Sequence, residues 1–247
     1  MLFCSELDEH SINRIWKDGK TIEKVALERG HTIAAIIDSS DFNINELDKS
    51  DVAIEFTQPD AAVSNIHKCF EANTPIIVGT TGWYEHYVKV AEVALEHNKG
   101  LFTATNFSIG VNILFHMNER LAKIMNGFSE YEVSMTETHH LQKLDHPSGT
   151  AVTLAEGIID SIDRKNKYVG LLEGEKAELT SFDLQILSKR APDVAGFHKV
   201  TYESPIDEIT LIHNAKSRLG FAQGAVLAAE WMQGKKGVYT MKELLNF

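Results

Sequence analysis

The amino-acid sequence predicts an α/β fold in two domains. Three observations lead to this prediction. Between residues 20 and 105, short apolar runs alternate with amphipathic stretches, which is typical of β-α-β units around a parallel sheet. From residue 109 onward, the extended runs alternate apolar and polar side chains, as strands do in a sheet with one covered and one open face. The chain has 247 residues, which is enough for a substantial core.

The first domain alternates helices with buried strands. Gly30 and Gly100 each follow a helical stretch, where glycine commonly ends a helix. In chain order we predict the helix TIEKVALERG, the strands HTIAAIID and DVAIEF, the helix DAAVSNIHKCFEAN, the strand PIIVGTTG, the helix WYEHYVKVAEVALEHNKG and the strand LFTAT.

The second domain is predicted over residues 109–218. Its elements are the helix VNILFHMNERLAKIM, the strand YEVSMTET, the helical run AVTLAEGIID, and the strands FDLQILSKRA, HKVTYES and DEITLIH. The last helical stretch, GFAQGAVLAAEWMQG, is apolar enough to return to the first domain. The first domain is therefore predicted to comprise residues 1–108 and 219–247.

Composition excludes several classes of protein. The chain carries 24 Lys and Arg against 35 Asp and Glu, and a net charge of −11 argues against a nucleic-acid-binding protein. No apolar run is long enough to span a bilayer, and MLFCSELDEH does not resemble a secretory signal, so we expect a cytoplasmic protein without a membrane partner. Cys4 and Cys69 are expected to be reduced thiols.

Candidate binding residues lie where strands of the first domain end, because parallel sheets bind ligands at that edge. Asp38 is either a carboxylate for ribose hydroxyls or a turn former. The segment 79–82, GTTG, either admits a ligand to its backbone or is a plain turn. Asn106 and Phe107 offer an amide and an aromatic face to a flat ring, although a loop with a core Phe explains them equally well.

The densest group of reactive side chains is the segment 137–151, ETHHLQKLDHPSGTA. Ser148 or Thr150 is a natural N-cap for the helix that follows, and the free N–H groups there can bind a carboxylate. His139, His140 and Lys143 lie just before it and supply cations or proton donors. These residues predict proton transfer on an anionic substrate.

A zinc site is the alternative for this segment. His139, His140, Asp145 and His146 are all possible ligands. However, adjacent histidines in an extended chain point to opposite sides, and the sequence contains no HExxH motif or Cys pair. We therefore favour proton transfer and predict no metal.

The same segment resembles the signature of the dihydrodipicolinate reductase (4-hydroxy-tetrahydrodipicolinate reductase) family, E-x-H-H-x-x-K-x-D-x-P-S-G-T-A. The resemblance continues through DVAIEFTQPDA, VGTTGW, ATNFSIGVN and NAKSRLGFAQGA, and it covers nearly all of the chain after residue 20. The matching residues are Glu137, His139, His140, Lys143, Asp145, Pro147, Ser148, Gly149, Thr150 and Ala151.

The resemblance implies a Rossmann-like dinucleotide-binding domain and an α+β domain, with an open mixed sheet, for substrate binding and oligomerisation. It further implies a homotetramer that uses NADH or NADPH to reduce a cyclic dicarboxylate, 4-hydroxy-tetrahydrodipicolinate, on the diaminopimelate route to lysine. Asp38 would repel the 2′-phosphate of NADPH, which favours NADH.

The resemblance also implies roles for single residues. His139 would donate the proton, and Lys143 would assist its transfer and stabilise developing charge. The substrate-binding residues would be His140, Ser148, Gly149, Thr150 and Arg218. The cofactor-binding residues would be Gly19, Asp38, Gly79, Thr80, Thr81, Ala104, Thr105, Asn106 and Phe107.

The N-terminal segment departs from the family pattern. A first strand and a G-x-G-x-x-G turn are expected there, but the chain reads DEHSINRIWKDGK, in which only Gly19 matches and Arg14 and Trp16 replace the other two glycines. Asn13, Arg14 and Lys17 would be costly in a buried strand. We therefore expect residues 1 to about 18 to lie outside the core, the first-strand position to be badly filled, and the first helix to begin at Gly19.

A displaced reading frame explains this departure. Codons for Asp8 to Gly19 can be chosen so that the frame one base later reads MNIALIGYGKMG, which supplies the missing strand and turn. Several bases in this reconstruction are free choices. Trp16 followed by Lys17 is not, because the Trp codon TGG before any Lys codon forces GGA, a glycine, in the displaced frame. The alternative is true divergence of the loop.

Overall fold

The computed structural model describes residues 2–4, 12–37, 42–47 and 50–247, with side chains from residue 19 onward except that of Glu46. The chain is divided into two compact units. Unit 1 comprises Met1–Ser108 and Leu219–Phe247, and unit 2 comprises Ile109–Arg218. Within the described ranges, no helix combines the length and apolar character needed to cross a membrane.

Eleven strands and seven α-helices make up the described fold, with 3-10 turns at Ile44–Leu47 and Tyr84–His86. In chain order they are β1 (Leu2–Cys4), α1 (Ile12–Glu28), β2 (Ala35–Ile37), β3 (Ala53–Glu55), α2 (Pro59–Glu71), β4 (Ile76–Val78), α3 (Tyr87–Glu96), β5 (Gly100–Thr103), α4 (Ile109–Met125), β6 (Glu132–His139), α5 (Gly149–Ile159), β7 (Lys167–Leu172), β8 (Asp183–Arg190), β9 (Gly196–Glu203), β10 (Glu208–Ala215), α6 (Leu219–Met232), β11 (Gly237–Tyr239) and α7 (Met241–Leu245).

Unit 1 contains a six-stranded parallel sheet in the order β11-β5-β4-β3-β1-β2. The chain leaves β1 for β2 on one side and returns to β3 on the other side. Strand order therefore reverses between β1 and β3, and ligands bind at such a point in doubly wound sheets. This arrangement confirms the predicted Rossmann-like α/β fold.

Alternate strand residues of unit 1 form two separate cores, because successive side chains point to opposite faces of the sheet. Ile54, Ile77 and Phe102 pack in the cluster that includes buried residues of α1 and α6. On the other face, Ala53, Ile76 and Leu101 pack with buried residues of α2 and α3. Both faces are covered, which explains the continuous apolar runs of these strands.

The N-terminal segment corrects two predictions. The first-strand position is filled by β1, which pairs with both β2 and β3. The first helix begins at Ile12 rather than Gly19, so Asn13, Arg14 and Lys17 belong to a helix. The physical reason is helical spacing, since two groups of apolar residues, Ile12, Ile15 and Trp16, and then Ile22, Val25 and Ala26, have their members three and four positions from the first. Residues 1 and 5–11, to which the same expectation applied, lie outside the described residues.

Unit 2 contains a five-stranded mixed sheet in the order β10-β9-β6-β8-β7. The pairs β10-β9 and β9-β6 are antiparallel, whereas β6-β8 and β8-β7 are parallel. One face packs against α4 and α5 through residues such as Leu114, Leu154, Met135 and Val200. The mixed sheet of the second domain is thus as predicted.

Candidate active site

A row of polar side chains crosses the helix-covered face of the unit 2 sheet. On β6, Val133 and Met135 are core residues, and the next two buried positions of the same face are Glu137 and His139. Glu137 lies opposite Ser188 on β8 and opposite His198 on β9. The apolar core therefore gives way to a polar cluster at the carboxyl end of β6.

The Glu137 carboxylate is the centre of this cluster. It accepts hydrogen bonds from the Ser148 backbone N–H, at 3.0 Å to Oε1 and 3.2 Å to Oε2, and from the Ser188 hydroxyl at 2.8 Å. The Ser148 hydroxyl also donates to Oε2. Burial alone would raise the pKa of Glu137, but hydrogen bonds from His198, Ser148 and Ser188 lower it to about 2. Glu137 is therefore a fixed anion.

Ser148 connects this anion to the start of helix α5. It is the N-cap, and its Oγ accepts a hydrogen bond from the Ala151 N–H at 3.3 Å. Gly149 is exposed, and a Cβ built on it would meet nothing within 4 Å. The start of α5 is therefore sterically accessible at Gly149, and a helix N-terminus favours a carboxylate.

His139 is the last residue of β6, and it is buried beside Glu137. Its Nδ1 lies 3.5 Å from Glu137 Oε2, and its ring meets that of His198 edge-on at a centroid distance of 5.1 Å. Burial lowers the pKa of His139 to about 4, against the opposing effect of the Glu137 charge. The imidazole is therefore neutral at pH 7.

Lys143 and its neighbours form a braced loop after β6. The Lys143 ammonium donates to both carboxylate oxygens of Asp145, at 2.9 and 2.8 Å. Arg190 on β8 donates to the backbone oxygens of Lys143, at 3.0 Å, and of Asp145, at 2.8 Å. The His140 carbonyl accepts from the Lys143 N–H at 3.1 Å. This bracing holds a cation close to His139.

One group of potential metal ligands occurs in the described parts of the chain. Ligand atoms of Glu137, His139 and His198 lie within 4.8 Å of one another. This set shares only His139 with the zinc ligands considered from the sequence. The Glu137 oxygens already accept four hydrogen bonds from Ser148 and Ser188. These contacts are those of a buried carboxylate that is satisfied by hydrogen bonds rather than by a metal ion.

The structure brings most of the predicted substrate residues into one region of unit 2. His139 and Ser148 both contact Glu137, and Gly149 and Thr150 are the first two residues of α5. Arg218 is instead an exposed residue between β10 and α6. Sequence reasoning missed Ser188 and His198. The sequence did contain a signal that His198 is buried, because alternation along HKVTYES puts it on the same face as the apolar Val200 and Tyr202.

In unit 1, the turns after β3 and β4 are tied together. The Thr57 N–H donates to Thr80 Oγ1 at 2.6 Å, and the Trp83 indole N–H donates to the Thr80 carbonyl at 2.9 Å. A Cβ at Gly79 would lie 2.2 Å from the Phe56 ring, so only glycine fits there. Thr81 is exposed beside this rigid turn. Ligand-accessible backbone and hydroxyl groups therefore lie at the edge where a dinucleotide is expected.

The turn after β5 contradicts the interpretation of Phe107 as an aromatic face for a flat ring. The Phe107 ring is buried and packs against Phe56 and Phe102, at centroid distances of 5.6 and 5.9 Å. It is therefore a core residue and offers no aromatic face to a ligand. Asn106 Oδ1 accepts from the Ser108 N–H at 2.8 Å, which shapes the turn. Ala104 is half-buried and Thr105 is exposed.

Gly19 and Asp38 are the remaining predicted cofactor residues. Gly19 is in the interior of α1, not at a helix start, because the helix begins at Ile12. It therefore cannot serve as the last glycine of a phosphate-binding turn in this structure. Asp38 lies outside the described residues.

Two family models match the chain. The model described as dihydrodipicolinate reductase, N-terminus, matches residues 16–107, and the model described as dihydrodipicolinate reductase, C-terminus, matches residues 110–245. Most of both units is therefore covered by one family.

Individual proteins agree with the family models. The chain is 44% identical over 230 residues to a 4-hydroxy-tetrahydrodipicolinate reductase of Christiangramia forsetii, covering 92% of this chain and 93% of the relative. It is 34% identical over 224 residues to the enzyme of that name from Neisseria gonorrhoeae, covering 90% and 80%. A dipicolinate-bound dihydrodipicolinate reductase from Paenisporosarcina sp. TG-14 shares the fold, with a TM-score of 0.73, 20% identity and coverage of 98% and 99%.

Proposed function

The chain belongs to the dihydrodipicolinate reductase family, and from this premise we propose that it reduces 4-hydroxy-tetrahydrodipicolinate to tetrahydrodipicolinate on the diaminopimelate route to lysine. The reaction consumes one NADH or NADPH and one proton, and the hydroxyl group of the substrate leaves as water. The observation that carries the proposal is the Glu137 cluster, which holds His139 close to the start of α5, where Gly149 is exposed.

Unit 1 is the proposed dinucleotide-binding domain. A nicotinamide dinucleotide supplies the hydride when it is bound. The chain's own contribution is the rigid turn at Gly79 to Thr81 and the turn at Ala104 to Asn106, both at the carboxyl edge of the parallel sheet. The missing side chain of Gly79 and the exposed hydroxyl of Thr81 suit a polar ligand that lies against the backbone.

Unit 2 is the proposed substrate-binding domain. The N–H groups that begin α5, with the Thr150 hydroxyl and His140, would bind one substrate carboxylate. Arg218 is proposed for the second carboxylate. An overall charge of −11 repels a dianion, so these local donors must supply the attraction.

His139 is the proposed proton donor. It is neutral in the ligand-free protein because burial lowers its pKa to about 4. A bound dicarboxylate adds negative charge nearby, and negative charge favours the protonated imidazole. We therefore infer that His139 takes up a proton with the substrate and gives it up during reduction. Lys143 would stabilise the negative charge that develops on the substrate.

Unit 2 is also the proposed assembly domain of a homotetramer. Its edge strand β10 carries the exposed apolar side chains Ile209 and Ile212, which suit burial against another subunit. Light scattering from the purified chain would test this, and a monomeric mass would reject it.

The activity is tested by following dinucleotide oxidation at 340 nm with 4-hydroxy-tetrahydrodipicolinate generated in the assay. We expect oxidation that depends on that substrate. NADH should have the lower KM, because Asp38 would repel the additional phosphate of NADPH. A chain that binds dinucleotide but oxidises none in the presence of substrate would overturn the proposed function.

Thr150→Val tests the carboxylate site in the same assay. The change keeps the shape of the side chain but removes its hydroxyl, so the substrate KM should rise about tenfold to a hundredfold, as expected for a lost hydrogen bond to a charged group. The dinucleotide KM should stay the same. Equal weakening of both ligands would show instead that the start of α5 had unfolded.

A further inference from the structure

We propose that His198 is a positioning residue for this reaction, which holds the His139 ring and the first turn of α5 in their relative places. The inference rests on the proposed function, because it concerns the proton donor and the carboxylate site named there. His198 belongs to no part of the sequence pattern that identified the site. It lies on β9, far along the chain from the 137–151 segment.

The sheet register brings His198 to the cluster. Its backbone lies directly opposite Glu137 on the neighbouring antiparallel strand β6, so both side chains are on the helix-covered face. His198 is buried, and its Nε2 lies 3.2 Å from Ser148 Oγ and 3.7 Å from Glu137 Oε2. It therefore contacts both the anion and the N-cap.

The hydrogen-bond inventory assigns the proton on His198. The Ser148 hydroxyl has one hydrogen, which it donates to Glu137 Oε2, while its oxygen accepts from the Ala151 N–H. The ring nitrogen of His198 that faces Ser148 must then donate rather than accept. His198 Nε2 therefore carries a hydrogen, which it donates to the Ser148 hydroxyl oxygen, and the Glu137 carboxylate lies 3.7 Å away.

This donor holds two catalytic elements at once. Through Ser148 and Glu137 it fixes the N-cap of α5, and hence the N–H groups proposed to bind substrate carboxylate. Through its edge-on contact it also forms one wall beside the His139 ring, whose Nδ1 faces the same carboxylate at 3.5 Å. Loss of His198 would leave the His139 ring free to rotate and Ser148 Oγ with one donor fewer.

The test compares His198→Ala with His198→Gln. Alanine removes both the N–H donor and the ring, and we expect kcat to fall about tenfold to a hundredfold, as misplacement of a reacting group does. Glutamine places an N–H near the original Nε2 and should recover part of that loss. The dinucleotide KM should not change, because its binding residues are in unit 1.

Two readouts separate positioning from simple destabilisation. The groups that face His139 are Glu137 on its own strand, Lys143 in the following loop, Arg190 on β8 and His198 on β9. In His198→Ala, solvent should enter beside the His139 ring and relieve the burial that lowers its pKa, so the apparent pKa of the kcat profile should rise. ¹⁵N NMR of the His139 ring should show one Nδ1–H tautomer in the unaltered chain and a mixture in the variant.

His213→Gln is the matched control, since His213 lies opposite His198 on the next strand of the same sheet. A fall in kcat as large as that of His198→Ala would indicate general loosening of the sheet and overturn the inference. An unchanged kcat, pH profile and His139 tautomer in His198→Ala would overturn it as well. Inactivity of the unaltered chain with bound dinucleotide would overturn the proposed function itself, while the NMR result would still report whether His198 orients His139.

Discussion

His139→Gln is expected to lower kcat by about 100-fold to 10,000-fold, the usual contribution of a positioned proton donor. The substrate KM should change far less, because the proton is transferred mainly in the transition state. Glutamine retains a polar group of similar reach but cannot supply the proton. Steady-state kinetics at saturating dinucleotide would measure the effect.

The pH dependence provides an independent check on this role. The pKa of His139 is lowered to about 4 by burial, so the protonated fraction of the ligand-free protein shrinks steadily as pH rises above that value. The ratio kcat/KM, which reports the ligand-free protein, should therefore fall with rising pH between about pH 5 and pH 9. This dependence should disappear in His139→Gln.

His140→Gln is the matched comparison, because it changes the adjacent histidine in the same way. His140 is proposed to bind carboxylate, so its variant should raise the substrate KM more than it lowers kcat. An unchanged kcat in His139→Gln would remove His139 from the role of proton donor.

Restoring the glycine-rich turn is expected to strengthen dinucleotide binding by about a hundredfold or more, the gain from two or more hydrogen bonds to a charged phosphate. The change replaces Asp8 to Gly19 with MNIALIGYGKMG and removes the seven residues before it. The N-terminal family model matches only from residue 16, so most of the replaced segment lies outside the match. In the restored chain the turn would direct the N–H groups of the helix start toward the pyrophosphate.

Isothermal titration with NADH and NADPH would measure this gain, and thermal unfolding should show higher stability. The control is the restored chain with all three turn glycines replaced by alanine, which keeps the strand but blocks close approach of the phosphates. If the chain as written binds either dinucleotide at micromolar concentration, and the restored chain binds no better, the loop is functional as it stands. Sequencing the DNA across codons 8 to 20 would decide whether the frame is displaced.

Local patterns were enough to predict eight of the eleven strands and most helices of the described fold, whereas β1, β7, β11 and α7 were not predicted. Alternation along YEVSMTET and HKVTYES identified two strands, and continuous apolar runs such as PIIV identified buried parallel strands. At the start of α1 the two signals disagree, because the family pattern predicts a strand and a turn where the spacing of Ile12, Ile15 and Trp16 predicts a helix. There the local periodicity was the better guide.

The polar cluster was only half predictable, because its members come from strands that are adjacent in space but not in sequence. Local sequence concentrated His139, Lys143 and Ser148 in one segment. Ser188 and His198 join Glu137 only because β6 lies between β8 and β9, an order that no local pattern contains. Phe107 shows the converse, since a residue next to a proposed ligand-binding turn can still be a core residue.

The division of unit 1 into two stretches of sequence has a consequence for synthesis on the ribosome. Strand β11 completes the sheet edge beside β5, and α6 covers Ile54, Ile77 and Phe102, yet both elements follow residue 218. Unit 2 is therefore fully synthesised while one apolar face of the first sheet still lacks part of its cover. Because exposed apolar surface on a nascent chain promotes aggregation, unit 2 can fold first, and unit 1 exposes that apolar face to solvent until the last helices emerge.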